Sequence, residues 1–303
     1  MNAGRFLLVV TGASRGFGRC VAEEFVRQAT PANPVDLILI ARSQSDLQAA
    51  SNAIGEIAGS TSNPDGVVVR TEPIDLGDLD HLEANLEVVF SRIDPGRYSR
   101  AVLVNNAGSI GHMSFVTELP SLAKLRSEMD FNITSASWLA SRFAAVFGAK
   151  KSEPIHDTSS PSESNATGVD AIDGGTAVAA VGDTPQDKSN NLVVNISSLA
   201  ALQPFESWGG YSSGKAARDM FHSRVLAMEQ ASIGGLKVLN YAPGCMNTDM
   251  ARDIRTAEQI EEGLRSGKYV EPVVSAEKCV RIVLRGAFIT GSHVDFHDEE
   301  DQS

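Results

Sequence analysis

The chain has 303 residues, 42% of them hydrophobic, and a formal net charge of −12 at pH 7. This acidic balance argues against nucleic-acid binding, which favours a basic surface. No stretch reaches the ~20 apolar residues that a membrane helix requires. Cys20, Cys245 and Cys279 show no metal or redox spacing, and an odd number leaves one unpaired. Such cysteine usage suits a reducing cytosol, so we expect a cytoplasmic protein without a metal site.

Short apolar runs predict strands, and the longer amphipathic stretches between them predict helices. The strands are expected near residues 5–10, 36–40, 67–70, 101–104, 192–196, 236–240 and 292–296. This alternation is typical of α/β proteins in which helices cover both faces of a parallel sheet. We therefore predict a doubly wound, Rossmann-type sheet of about seven strands in one domain, residues 1–303.

A glycine-rich turn follows the first predicted strand and precedes an amphipathic stretch. Its sequence is Thr11-Gly12-Ala13-Ser14-Arg15-Gly16-Phe17-Gly18. The glycines allow a tight turn and let a pyrophosphate approach the helix amino terminus, where free N–H groups and the helix dipole favour an anion. Placed between a strand and a helix, this turn predicts a dinucleotide-binding site.

The second predicted strand ends in Ala41-Arg42, where an NAD site would usually carry an acid for the ribose 2′-hydroxyl. A cation at this position can pair with a 2′-phosphate instead. Arg42, supported by Arg15 in the glycine turn, therefore favours NADP(H) over NAD(H). The alternative is that Arg42 is a solvated arginine at a strand end.

The turn Asn105-Asn106-Ala107-Gly108 follows the strand at residues 101–104. It falls at the carboxyl end of a parallel strand, where α/β folds bind ligands. Its small residues would let the backbone face the riboses of the cofactor.

Residues 149–190 are rich in Ser, Thr, Gly, Asp and Pro and contain few large apolar side chains. Such a segment cannot bury enough surface to offset the entropy of ordering. We expect a flexible surface insertion that is inert for the chemistry. The alternative is a regulatory role, because Ser159, Ser160 and Ser162 flank Pro161.

A hydroxyl, a phenol and a cation follow the insertion at a spacing suited to carbonyl reduction. Ser198 follows a predicted strand, and Tyr211 and Lys215 are four residues apart on a predicted helix. Positions i and i+4 share a helix face, so both side chains can enter one cleft. Ser198 would bind the substrate carbonyl oxygen and Tyr211 would protonate it, with the Lys215 ammonium lowering the tyrosine pKa.

Pro243-Gly244 follows the strand at residues 236–240. Together with the segment that contains Met246, Thr248 and Met250, it is expected to close over the nicotinamide end of the cofactor.

In their order and intervals, these motifs resemble the short-chain dehydrogenase/reductase family over almost the whole chain. The resemblance rests on the glycine turn, Asn105 to Gly108, Asn132, Ser198, Tyr211 with Lys215, and Pro243-Gly244. It implies an NADP-dependent oxidoreductase that acts on an alcohol or carbonyl group. It also implies a homodimer formed through two long helices near residues 122–147 and 208–232.

The family resemblance assigns two further roles. Asp75, with Ile74 and Leu76 beside it, would contact the adenine of the cofactor. Asn132 would hold a water for proton relay behind Lys215, and the alternative is a plain buried asparagine in a helix.

Several segments resemble the pterin-carbonyl reductases within this family. They are Asn195 to Phe205, Gly214 to Met220, Val238 to Gly244, Thr248 to Met250 and His293 to Phe296. The resemblance implies NADPH-dependent reduction of a pterin side-chain carbonyl, toward tetrahydrobiopterin. It further implies that Asp295 anchors the pterin ring and that Ser198, Leu199, Tyr211 and Gly244 meet the substrate.

Three hypotheses about function stay open at this point. The first is the pterin-carbonyl reductase, and the second is a general reductase of ketones or vicinal diketones in which Asp295 is an incidental acid near the end of the chain. The third is a sensor that binds NADP without turnover, which the combination of Ser198, Tyr211 and Lys215 disfavours.

Overall fold

Parallel strands form the centre of the protein in this computed structural model, which describes residues 4–29, 33–150 and 190–299. The strands are β1 (Arg5–Thr11), β2 (Val35–Ala41), β3 (Val67–Pro73), β4 (Tyr98–Asn105), β5 (Leu192–Ile196), β6 (Lys237–Ala242), β7 (Cys245–Met246), β8 (Tyr269–Val270) and β9 (Ser292–Asp295). Seven of them make one sheet in the order β3-β2-β1-β4-β5-β6-β9, and β7 pairs with β8 separately. The predicted doubly wound sheet of about seven strands is confirmed.

Helices cover both faces of this sheet. They are α1 (Gly16–Arg27), α2 (Gln44–Gly59), α3 (Leu79–Ser91), α4 (Leu122–Met129), α5 (Ser135–Phe147), α6 (Gly209–Asp219), α7 (Ala227–Ala231), α8 (Asp249–Arg252), α9 (Ala257–Arg265) and α10 (Pro272–Arg285). One core layer joins the sheet to α1, α2 and α10, and the other joins it to α3, α5 and the start of α7.

Side-chain alternation along the strands builds these two layers. On β2, Leu37 and Leu39 pack toward α1 and α2, whereas Ile38 and Ile40 pack on the opposite face. Because both faces are covered, a nearly continuous apolar strand is stable at the centre of the sheet.

Two π-helical turns interrupt the long helices next to the carboxyl edge of the sheet. Residues Asp130–Thr134 lie between α4 and α5, and residues Met220–Leu226 lie between α6 and α7. The first turn carries Asn132. Such π turns occur frequently at functional sites.

The predicted insertion at residues 149–190 lies almost entirely outside the described residues. The described chain stops at Lys150 and resumes at Asn190. Asn191 Nδ2 donates to the Phe147 carbonyl oxygen at 3.0 Å, and its Oδ1 accepts from Ala101 N at 2.8 Å. The two ends of the segment therefore meet beside β4.

Among the described residues, we find no helix of the length and apolarity that crossing a membrane requires.

Candidate active site

Ser198, Tyr211 and Lys215 meet at the carboxyl end of β5. The Ser198 hydroxyl lies near the Tyr211 phenol. Lys215 Nζ donates to the Ile196 carbonyl oxygen at 2.6 Å and lies 5.6 Å from the centre of the Tyr211 ring. The predicted trio is thus assembled around one phenol, and the lysine is also fixed to the strand that precedes Ser198.

The electrostatics of this trio differ from the expectation based on sequence. Burial raises the pKa of Tyr211, and the opposing effects of the nearby Ser198 hydroxyl and the Arg218 charge are smaller. Burial also lowers the pKa of Lys215 well below its usual value. The predicted net lowering of the Tyr211 pKa is therefore wrong. Burial keeps the phenol protonated at neutral pH, as proton donation requires, but a raised pKa makes it a weaker acid.

A second cation, Arg218, lies behind the tyrosine and is completely buried. Its Nε donates to Asn195 Oδ1 at 2.9 Å and its Nη1 donates to the Ala107 carbonyl oxygen at 2.7 Å. Its Nη2 donates to the Asn105 carbonyl oxygen. Burial lowers the pKa of Arg218 to about 10, so the side chain remains a cation at neutral pH. Arg218 therefore ties the catalytic helix to the turn predicted to face the cofactor riboses.

Four polar residues form a row across the sheet beneath this helix. Asn105, Asn195, Asn240 and His293 are paired in register on β4, β5, β6 and β9. Asn195 Nδ2 donates to Asn240 Oδ1 at 2.9 Å, and Asn105 Nδ2 donates to His222 Nε2 at 3.1 Å. We call these four strand residues the polar row.

Asp219 joins the polar row to the serine segment. Its carboxylate accepts from Ser197 Oγ at 2.7 Å, from Asn195 Nδ2 at 3.1 Å and from His293 Nδ1 at 3.1 Å. The buried charge of Asp219 thus stands next to that of Arg218 and accepts several hydrogen bonds, as a buried carboxylate requires.

Neither Arg218 nor Asp219 was predicted from the sequence. A signal was present, because Tyr211, Lys215, Arg218 and His222 follow the i, i+4, i+7, i+11 spacing of one helix face. Charged residues on the face that carries Tyr211 and Lys215 indicate a buried polar site.

The glycine turn packs against the turn after β4. Asn106 Nδ2 donates to the Thr11 carbonyl oxygen at 2.8 Å, and Thr11 Oγ1 accepts from the backbone nitrogens of Asn106 and Ala107, each at 2.9 Å. A methyl group at position 18 would lie 2.5 Å from Asn106 Nδ2, so only glycine fits there. Gly12 and Gly16 adopt positive φ angles of 64° and 57°, which glycine adopts without strain.

The amino terminus of α1 follows the glycine turn at the carboxyl end of β1. Its first turn, residues 16–19, reads Gly-Phe-Gly-Arg and contains no acidic residue, so the helix dipole there favours an anion. Ser14 and Phe17 lie in the same turn, where Phe17 is buried.

The two arginines predicted to select the cofactor have different surroundings. Arg42 is exposed just after β2, next to Ala41. Arg15 forms an exposed ion pair with Asp249 at 3.0 Å. Thr248 also lies close to Gly16, so the segment around residue 248 covers the glycine turn.

The turn after β3 contains Asp75, which the family resemblance assigns to the adenine. Asp75 is exposed and its Oδ1 accepts from Gly77 N at 2.9 Å. The side chains of Ile74 and Leu76 are buried in the core, so only their backbone can line a site at this edge.

Asn132 lies between the turn after β4 and the catalytic helix. It exchanges hydrogen bonds with the backbone of Ser109, at 2.9 and 3.0 Å. Its side chain is close to Gly108 and Gly214, because a methyl group at either position would contact it. In this structure Asn132 therefore holds the turn against α6.

Asp295 lies beside the Pro243-Gly244 turn. It pairs in register with Ala242, and its Oδ1 accepts from His297 N at 2.9 Å. Gly244 has a φ of 78° and faces Phe296 and His297. His293 contacts Asp219 of the catalytic helix, and residues two apart on a strand share a face, so Asp295 lies on the catalytic side of the sheet.

Two aromatic residues that were not predicted from the sequence lie beside Tyr211. Trp208 packs edge-on against Tyr211 at 5.6 Å between ring centres, and Phe205 packs on Trp208 at 5.4 Å. Leu199 is exposed next to Ser198, and Met246 and Met250 are half-buried in the segment after Gly244.

Comparisons with known proteins agree with this architecture. The family model described as short chain dehydrogenase matches residues 7–169 and 176–259. The chain is 33% identical to the sepiapterin reductase of Xenopus tropicalis, over 97% of each chain. It is 24% identical to a benzil reductase of Bacillus subtilis that forms (S)-benzoin. That match covers 84% of this chain and 79% of the relative. The fold is similar to that of a solved 7α-hydroxysteroid dehydrogenase complexed with NADH and 7-oxo glycochenodeoxycholic acid, with a TM-score of 0.67. The two sequences are 18% identical, and the match covers 97% of this chain and 94% of that one.

Proposed function

This chain belongs to the short-chain dehydrogenase/reductase family, and we propose that it is an NADPH-dependent reductase of a side-chain carbonyl on a pterin, of the sepiapterin or 6-pyruvoyl-tetrahydropterin type. Family membership makes it an oxidoreductase that acts on alcohol or carbonyl groups with a nicotinamide cofactor. The cofactor choice, the substrate and the roles of individual residues belong to the proposal.

The proposed preference for NADP(H) rests on charge at the end of β2. Arg42 is exposed beside Ala41, where it is accessible to a 2′-phosphate. Arg15 would have to exchange its partner Asp249 for the phosphate, and the exposed, solvent-screened ion pair offers little resistance to that exchange. When bound, the cofactor would supply a hydride to the substrate carbonyl carbon.

The reduction requires a proton at the carbonyl oxygen, and the chain can deliver it. Ser198 would donate a hydrogen bond to that oxygen, and Tyr211 would transfer its phenolic proton to it. The two hydroxyls lie near each other, so one oxygen atom can approach them together. The raised pKa of Tyr211 keeps the phenol protonated at neutral pH. Asn132 and Lys215 would lie on the route by which the proton is replaced.

The position of Asp295 is the observation that supports a pterin as the substrate. A pterin presents its 2-amino group and the neighbouring ring N–H as a planar pair of donors, which one carboxylate can accept together. Asp295 lies beside Gly244 at the carboxyl edge of the sheet, on the face that carries the catalytic helix. The 33% identity to a sepiapterin reductase over 97% of the chain supports the same choice.

A general reductase of vicinal diketones is the second candidate function. It is favoured by the similarity to a benzil reductase and by the apolar side chains of Leu199 and Phe205 near the site. Such a substrate would not need Asp295.

The experiment that separates these functions compares sepiapterin with benzil in the wild type and in Asp295→Asn, following NADPH consumption. We expect sepiapterin to be preferred by kcat/KM and the variant to lose that preference. Equal efficiency with both substrates, unchanged in the variant, would instead identify a general carbonyl reductase. The same assay with NADH in place of NADPH tests the cofactor.

We also propose a homodimer formed through the helices at residues 122–147 and 209–231. The apolar side chains of Met220, Val225 and Met228 are exposed along the second of these helices in the monomer. Light scattering of the purified protein tests this assembly, and a monomeric mass would exclude it. A cytoplasmic location remains part of the proposal and is tested by imaging a tagged chain.

A further inference from the structure

Residues 295–298 form a turn at the end of β9 that contains Asp295, the proposed pterin anchor. Three hydrogen bonds lie within this turn. They join Asp298 N to the Asp295 carbonyl oxygen at 3.1 Å, Asp295 N to Asp298 Oδ2 at 2.7 Å, and His297 N to Asp295 Oδ1 at 2.9 Å. These bonds set the shape of the turn, and its position must be set by contacts with the rest of the protein.

Two groups outside the turn provide those contacts. Phe296 N donates to the Ala242 carbonyl oxygen at 2.8 Å, which continues the pairing of β9 with β6. Lys278, on α10, provides the other contact. Its Nζ donates to the carbonyl oxygens of Phe296 at 2.8 Å, Asp295 at 3.4 Å and Asp298.

Lys278 is well suited to hold this turn in place. An ammonium has three donors, and here carbonyl oxygens of one short segment accept all three. The side chain is 7% exposed, so these bonds compete little with water. The neighbouring residues Ala276, Cys279 and Val280 are buried in the core, which fixes the helix to the body of the protein. Nζ also lies 5.7 Å from the centre of the Phe296 ring.

We propose that Lys278 is a positioning residue for the Asp295 carboxylate and thereby sets the selectivity of the enzyme for pterins. The inference rests on the proposed function, because it assigns Asp295 to the substrate. Without Lys278, the carbonyl oxygens of Phe296 and Asp298 lose the donor described here and that of Asp295 keeps only Asp298 N. The turn is then held mainly by one bond to β6. A carboxylate that shifts with the turn cannot accept both donors of the pterin in one plane.

Lys278→Met tests this proposal, because methionine keeps the apolar stem and removes the three donors. We expect the KM for sepiapterin to rise about tenfold, equivalent to about 1.4 kcal/mol, with kcat changed less than about twofold. The ratio of kcat/KM for sepiapterin to that for benzil falls accordingly. Lys278→Arg keeps a cation with several donors and should restore part of that ratio.

Lys237→Met is the matched control. Lys237 also donates to carbonyl oxygens before β9, those of Gly286 at 3.0 Å and Phe288 at 3.4 Å, and lies 5.3 Å from the Phe288 ring centre. It starts β6, at the end of the sheet opposite the candidate site. Its loss should lower the melting temperature about as much as Lys278→Met but leave the substrate ratio unchanged. Equal effects of both variants on that ratio would show a merely structural role and overturn the inference.

A double-mutant cycle separates failure of this inference from failure of the proposed function. If Lys278 acts through Asp295, the double variant Lys278→Met/Asp295→Asn should have the sepiapterin KM of Asp295→Asn alone. If Asp295→Asn removes the preference but Lys278→Met folds and binds sepiapterin like the wild type, the inference about Lys278 is wrong and the function stands. If Asp295→Asn changes nothing, the pterin anchor itself is wrong, and the role of Lys278 is overturned with it.

Discussion

Lys215 and Arg218 lie three residues apart on the buried face of α6, where burial and then the charge of Arg218 lower the pKa of the lysine. The same guanidinium lowers the pKa of Tyr211 against the larger effect of burial. Arg218 thus affects both titrating groups of the candidate site from behind, in a place that substrate cannot enter.

Arg218→Met should move the pH dependence of the reverse reaction, the oxidation of the alcohol. That direction needs the Tyr211 phenolate, and removing the Arg218 charge raises the tyrosine pKa further. We expect the limb of kcat/KM that rises with pH as Tyr211 ionises to move to higher pH. Arg218→Lys, which keeps a cation, should move it less. A uniform loss of activity with an unmoved limb would mean that Arg218 is only structural.

Tyr211→Phe should lose nearly all turnover and still bind NADPH, because the proton donor is removed and the ring is kept. General acid catalysis is typically worth 10²–10⁴-fold in rate. Stopped-flow turnover together with fluorescence titration of NADPH gives both quantities. An unchanged rate would exclude the proposed mechanism and leave the sensor hypothesis in place.

His222 should make folding sensitive to acid. Burial lowers its pKa to about 3, from an ordinary value near 6.5. Between these two pH values the unfolded chain binds a proton that the folded chain does not, so the free energy of unfolding falls as pH falls. The slope from this one group reaches about 1.4 kcal/mol per pH unit. Urea unfolding from pH 7 to pH 4 should therefore show a steeper loss in the wild type than in His222→Gln. Parallel curves would contradict the assignment.

Gly18→Ala should weaken NADPH binding by tenfold or more. The added methyl group would lie 2.6 Å from the Gly12 carbonyl oxygen and 2.5 Å from Asn106 Nδ2, so the glycine turn must move. Gly55→Ala is the control, since a methyl group at position 55 of α2 contacts nothing within 4 Å. That helical substitution should stabilise the protein by about 0.5–1 kcal/mol and leave NADPH affinity unchanged. Titration calorimetry and thermal unfolding measure both effects.

Deletion of residues 152–188 should leave kcat/KM within about twofold of the wild type. Phe147 and Asn191, on either side, are already joined by a hydrogen bond of 3.0 Å, so a short connection can replace the segment. Steady-state kinetics and thermal unfolding of the shortened chain test this. Loss of both folding and turnover would show that the segment is required.

Much of this architecture follows from local patterns in the sequence. Apolar runs predicted the strands, and the residue types at Ser198, Tyr211 and Lys215 predicted a cluster that the fold assembles. The Arg218 and Lys278 contacts could not be predicted, because they join residues 17 to 113 positions apart and their acceptors are mostly backbone carbonyls. The direction of the Tyr211 pKa depends on burial, which residue spacing does not reveal.

The polar row also constrains how the sheet can assemble. Asn105, Asn195, Asn240 and His293 stand side by side only when all four strands pair in their native register. A slip of one residue would move a strand's amide or imidazole to the opposite face, among apolar side chains, and leave the Asp219 and Arg218 charges short of partners. The residues beneath the candidate active site thereby select against misaligned strand pairings during folding.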